Sequence, residues 1–198
     1  MIKSESRQSW IESLVRLGDK LRYENLAEDV LRRAIEDNPW FTPYYIKMAL
    51  EGIRKWLTKE ELEEFVEPYG YVVSERKKHI GIIAAGNIPL VGFHDVLVGI
   101  LSGHRVSFKP SHQDTALMEW VIDRWKELIP SLRQSLHITQ QIIDVDFLIA
   151  TGSDNTSRYF QANFGEIPRI IRKNRFSVAI IDEKTTDLEL ERLCDDMM

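Results

Sequence analysis

The chain has 198 residues, 43% of them hydrophobic and 29% charged, with a formal net charge of −5. That length supports one substantial domain with its own core. The acidic balance, with basic residues scattered and the longest basic run only Arg76-Lys77-Lys78, excludes the footprint of a nucleic-acid binder.

Cys194 is the single cysteine, so an internal disulfide is impossible, and no Cys/His cluster has the spacing of a metal site. Met1-Ile2-Lys3-Ser4-Glu5 lacks the apolar stretch of a signal peptide. No apolar run approaches the ~20 residues that cross a bilayer. A reducing cytoplasm, without metal or membrane span, is the expected setting.

The first third reads as helical. Trp10, Leu14, Leu17, Leu21, Leu26, Val30 and Leu31 recur at helical spacing from Ser9 onward. Asn38-Pro39 ends the pattern, because a residue before proline is pushed out of the helical region. Thr42-Pro43 reads as a cap with proline at the first helical position, and Ile46, Leu50, Ile53 and Leu57 line one face of the helix that follows. Thr58 opens another helix, with Glu61 placed for a capping box. Near Tyr69-Gly70 the character changes. His79 to Ala84 is a short, nearly unbroken apolar run, as expected of a strand buried on both faces. A helix is predicted from Leu90 to Leu101, a strand over Arg105–Lys109 and a helix over Thr115–Leu128. Then come a strand over Asp146–Ala150, a helix over Asn155–Phe164, a strand over Ser177–Ile181 and a last helix from Asp187.

This alternation predicts an α/β fold: an open, doubly wound parallel sheet over residues 69–198, preceded by a helical N-terminal extension, residues 1–68, that packs on it. Ligands of such sheets bind where strand carboxyl ends lead into helices. Three loops of this kind stand out. Ala84-Ala85-Gly86-Asn87-Ile88-Pro89 combines a glycine that permits close backbone approach, an amide donor and a helix-starting proline. Lys109-Pro110-Ser111-His112 sets a cation at the end of a buried strand. Thr151-Gly152-Ser153-Asp154 puts small residues at a helix start, where backbone donors face an anion. Taken singly, each also reads as an ordinary helix cap or surface lysine.

Their order and spacing resemble the aldehyde dehydrogenase superfamily, in which a segment like P-W-N-F-P is followed by A-x-G-N-x-V-V-x-K-P and later F-T-G-S. Here the corresponding segments are A-G-N-I-P, L-S-G-H-R-V-S-F-K-P-S and I-A-T-G-S. The stretches T-G-S-D-N-T-S-R-Y-F and I-I-R-K-N-R-F-S-V-A-I look like the fatty-acyl-CoA reductase branch, related to the acyl reductase of bacterial luminescence. The likeness runs from about Asn38 to Met198.

The resemblance implies an NADP(H)-dependent reduction of an acyl-CoA to an aldehyde through a cysteine acyl-enzyme. It implies that Asn87 stabilises the oxyanion, that Lys109 contacts the adenosine ribose, and that Ser153 contacts the pyrophosphate, with Gly152 allowing close approach. Ser111 and His112 complete the expected cofactor-contacting set. Two departures refine the expectation. His112 stands where NAD-preferring members often carry a glutamate on the ribose hydroxyls, which favours NADP(H) over NAD. Ile170-Ile171-Arg172-Lys173-Asn174 stands in the region of E-L-G-G and lacks the glutamate that activates water, which suits a reductase.

Cys194 does not look like the nucleophile. It sits in an amphipathic helical pattern beside Asp195 and Asp196, whose charge disfavours a thiolate, and a buried helix thiol is the expectation. The family's cysteine belongs to a catalytic domain expected beyond Met198, so the sequence reads as a shortened form, inactive alone. His94 and Asp95 are expected to be structural, since adjacent helix positions face different ways. Self-association through apolar surface left bare is also expected. The alternatives are a non-catalytic dinucleotide-binding or assembly module, or an aldehyde dehydrogenase fragment of another substrate class.

Overall fold

The computed structural model describes residues 7–69, 77–152, 164, 166–172 and 178–197. Its centre is a sheet of five strands: β1 (His79–Ile83), β2 (Arg105–Lys109), β3 (Leu136–Ile138), β4 (Phe147–Thr151) and β5 (Arg169–Arg172). The spatial order is β3-β2-β1-β4-β5, and each neighbouring pair is parallel. Parallel neighbours need long crossovers. Helix α5 (Phe93–Leu101) joins β1 to β2, and α6 (Thr115–Leu128) joins β2 toward β3. The fold is therefore the α/β, open, doubly wound parallel sheet expected from the alternation.

Both faces of β1 are covered. Ile80 and Ile82 enter the main core, together with Phe108 of β2, Phe93 and Val96 of α5, and Leu117, Val121 and Trp125 of α6. On the opposite face Ile83 packs on a smaller cluster of Ile142, Val145, Leu148 and Ala150. A strand buried on both faces cannot show polar alternation, which is why β1 reads as a continuous apolar run.

Four helices precede the sheet: α1 (Arg7–Lys20), α2 (Glu28–Asp37), α3 (Pro43–Trp56) and α4 (Lys59–Val66). The helical pattern from Ser9 to Leu31 is divided between α1 and α2. A short 3-10 turn, Tyr23–Asn25, separates them, and Asn25 Nδ2 donates to Lys20 O at the end of α1, 3.0 Å away. Thr42 and Thr58 cap α3 and α4 as expected, their hydroxyls accepting from Tyr45 N and Glu61 N. Leu14, Leu17 and Leu21 of the α1 region are fully buried, and α1 and α2 lie against α6, so extension and sheet share one apolar core.

Several predicted elements are corrected. Helix α5 begins at Phe93, not Leu90: residues 88–92 form turns, and Leu90 has a positive φ of 62° that no helix admits. The predicted strand over Ser177–Ile181 is not formed at its described residues. Val178 and Ile180 are 88% and 91% exposed there, while Arg169–Arg172 pairs with β4 instead. Strand β3 was not expected, since three residues at a sheet edge are too short to show a period. β4 runs one residue later than predicted. The final helix, α7 (Asp187–Met197), forms where expected. The helix predicted over Asn155–Phe164 falls outside the described residues apart from Phe164.

Phe108 is fully buried, and its ring lies 2.8 Å from where a side chain on Gly92 would begin. Phe108→Ala should therefore cost about 3–5 kcal/mol, read as a lower denaturation midpoint in guanidinium with an unchanged slope. A loss below about 1 kcal/mol would contradict this packing.

Candidate functional site at the carboxyl edge of the sheet

In the order β3-β2-β1-β4-β5 the chain direction across the sheet reverses between β1 and β4. At such a reversal the loops after the flanking strands diverge and leave a crevice at their carboxyl ends. The three loops singled out in the sequence follow β1, β2 and β4, so the topology brings all of them to this edge.

The first two loops are stacked. Ala84 N donates to Lys109 O at 3.1 Å, continuing the ladder one residue past β1. A Cβ on Gly86 would lie 2.5 Å from Ser111 Oγ and 2.6 Å from Ser111 Cβ, so only glycine lets these loops approach this closely. Asn87 is exposed at the tip of its loop, Lys109 and Ser111 are half-buried, and His112 is exposed. Ser111 Oγ accepts from Gln113 N at 3.3 Å, which orders the turn into α6. Lys109 makes no ion pair among the described residues, leaving a cation at the end of β2. Gly152 is half-buried beyond β4, but its N–H already donates to Arg172 O at 3.2 Å and is not open to an anion. Ser153 lies outside the described residues.

Two residues that the sequence reading passed over hold the first loop. Asn38, 2% exposed, donates from Nδ2 to Gly86 O at 2.9 Å. Asp114, also 2% exposed, accepts from Leu90 N at 2.9 Å through Oδ2, and its Oδ1 has no partner. Burial pushes the Asp114 carboxyl up to about 8, opposed in part by the Leu90 N–H. Asn38 carried only a helix-break signal before Pro39, and Asp114 only that of a residue preceding a helix.

His94 Nδ1 lies 3.8 Å from Asp95 Oδ1, beyond hydrogen-bond reach, and each side chain has its principal partners elsewhere. Asp95 is buried and accepts from Arg172 Nη1 at 2.5 Å, tying the start of α5 to the end of β5. His94 turns toward Trp56 and Phe65, with ring centroids 5.7 and 6.3 Å away. Those aromatics, with Leu62, Leu97 and Glu61, line an apolar groove of about 250 Å³ beside α5. Cys194 is exposed on α7, correcting the expectation of a buried thiol. Among the described residues no cluster of His, Cys, Asp or Glu has the makings of a metal site, and no helix is long and apolar enough to cross a membrane.

No family's sequence model matches the chain, and no curated protein does. Solved structures do match. Betaine aldehyde dehydrogenase from Staphylococcus aureus, in complex with NAD+, superposes with a TM-score of 0.65 at 13% identity, over 85% of this chain and 38% of that one. The fold is that of aldehyde dehydrogenases over this span. An NAD-dependent benzaldehyde dehydrogenase from Corynebacterium glutamicum gives 0.64 at 13% identity, over 85% and 42%, and HpcC from Thermus thermophilus gives 0.60 at 15%, over 86% and 37%. The chain thus spans about two fifths of the length of these structures.

Asp114 generates a pH prediction. Its folded pKa is raised from 3.8 to about 8, so between those values the folded chain holds a proton that the unfolded chain releases. Stability must then fall as pH rises through that window, by up to about 1.4 kcal/mol per pH unit for this one proton. Asp114→Asn keeps an oxygen for Leu90 N and removes the titration. Urea denaturation from pH 4 to 8 should show a flatter decline in the variant, and parallel profiles would contradict the assignment.

Proposed function

We propose that this chain is the cofactor-binding part of an NADP(H)-dependent acyl-CoA reductase, reducing a fatty acyl thioester to an aldehyde by way of a cysteine acyl-enzyme. The observation that carries this reading is that the segments bearing Asn87, Lys109 and Gly152 all leave the carboxyl edge of the sheet, at the ends of β1, β2 and β4, in the order their motifs have in the resembling family. The residues fit a dinucleotide. Gly86 keeps the two stacked loops slim, and Lys109 offers a cation that makes no ion pair among the described residues.

Each residue then has a definable task. Lys109 holds the adenosine ribose, and with His112 in place of a glutamate it meets a 2′-phosphate without a repelling charge. Ser111 and Gly152, and by resemblance Ser153, shape the path of the pyrophosphate. Asn87 presents its side-chain amide to the oxygen of the reacting carbonyl as negative charge builds there. The reduced nicotinamide, when bound, supplies the hydride that turns the thioester carbon into an aldehyde. The attacking thiolate, which displaces CoA and is regenerated on aldehyde release, is not assigned in this reading to Cys194, which stands on α7 beside Asp195 and Asp196, whose charge disfavours a thiolate. The aromatic groove beside α5 has the chemistry an acyl chain needs. Exposed Val178 and Ile180 support self-association of the homo-oligomeric kind.

Calorimetric titration tests the cofactor half of the proposal. The 198-residue chain should bind NADPH more tightly than NADH, and Lys109→Ala should weaken NADPH by about tenfold or more, the range of a charge-assisted contact. Tighter NADH binding would overturn the NADP(H) preference. Absence of binding, or binding indifferent to Lys109→Ala, would favour a non-catalytic module.

A further inference from the structure

We infer that Asn38 and Asp114 are positioning residues for Asn87, gripping its loop on either side so that the backbone carrying the exposed amide is held in one place. The inference rests on the reading of Asn87 as the oxyanion donor and adds what fixes it.

Asn38 is locked at every polar atom. Its N donates to Ala34 O at 3.1 Å, its O accepts from Phe41 N at 2.9 Å, its Oδ1 accepts from Trp40 N at 3.1 Å, and its Nδ2 donates to Gly86 O at 2.9 Å. Three of these bonds are local and set the direction of the side chain. The fourth reaches across 48 residues to the loop. A buried amide with both ends satisfied has a single orientation, and turning it strands buried polar groups.

Asp114 holds the other side in an unusual way. It sits at the N-cap of α6, where an aspartate ordinarily accepts from its own helix, yet its side chain makes no capping bond. The carboxyl is spent on Leu90 N, 24 residues away. Leu90 needs such a hold, because its φ of 62° costs a residue with a Cβ about 1–2 kcal/mol and persists only where the surroundings dictate it. Between Gly86 O and Leu90 N lie only Asn87, Ile88 and Pro89. Pro89 is buried, while Asn87 and Ile88 face solvent. The backbone that carries Asn87 is thus fixed at both flanks, once by the helical extension and once by the loop after β2.

The test is amide hydrogen exchange on the full chain without cofactor, read residue by residue, with the side-chain amide resonances of Asn87 identified by their loss in Asn87→Asp. Asn38→Ala and Asp114→Ala should each speed exchange at Leu90 by about fivefold or more beyond any rise at Ile82 in β1, and should move the Asn87 backbone and side-chain signals from their wild-type positions. Asp114→Asn, which keeps an acceptor, should restore both. Should an alanine variant fail to fold, Asn38→Ser keeps a local acceptor for Trp40 N and loses only the reach to Gly86. Loop exchange that rises no more than at Ile82, or no rescue by Asp114→Asn, overturns the inference alone. Failure of the wild-type chain to bind NADPH overturns the reading of the site and with it the purpose assigned to the grip.

Discussion

β1 is paired along its length on both sides, with β2 through His79–Ile83 and with β4 through Ile80–Ile83. Both pairings are parallel, and that constraint arranges the rest of the molecule. Parallel strands cannot be joined by tight turns, so each connection must leave the carboxyl edge, cross a face and return to the amino edge. Every loop that departs a strand therefore departs from the same edge, and residues 87, 109 and 152, far apart in the chain, come to lie along it. The direction across the sheet reverses between β1 and β4, the place where sheets of this kind receive their ligands.

The N-terminal helices are more than a covering layer. They pack on α6 with Leu14, Leu17 and Leu21, and through Asn38 they also reach the Gly86 carbonyl at the carboxyl edge. The loop after β2 reaches the same segment from the other direction through Asp114. Apolar burial supplies the stability of the assembly, while these two buried polar contacts specify where one short loop lies. The same division of labour recurs at α5. Its apolar face enters the core, its first turn is pinned by Asp95 to Arg172 of β5, and His94 turns outward into an aromatic groove.

Much of this was legible in the sequence, and for identifiable reasons. β1, β2, α3 and α6 carry continuous apolar runs or clean helical spacing with caps at their starts, and they stand within about a residue of their predicted bounds. What was missed has physical causes. β5 is an edge strand whose Ile170-Ile171 core is flanked by arginines, and the more apolar Val178–Ile181 drew the prediction, although nothing described in the fold covers it. The late start of α5 depends on a left-handed Leu90, a conformation that no propensity assigns to leucine. The loop residues Asn87, Lys109, Ser111, His112 and Gly152 were found because their type and order form a pattern. Asn38 and Asp114 were not, because a long-range hydrogen bond leaves no local signal: an asparagine before proline reads as a helix break, and an aspartate before a helix reads as a cap.

The proposed function requires the carboxyl edge between β1 and β4 to receive a nicotinamide dinucleotide. The most direct measurement is a titration of the isotopically labelled chain with NADPH, followed by backbone amide resonances. Binding at that edge should give saturable shifts concentrated at Gly86, Lys109, Ser111, His112 and Gly152, with the amino edge around His79 and Arg105 unmoved. Shifts centred instead on the groove of Trp56, Phe65 and His94, or no saturable shift at all, would contradict it.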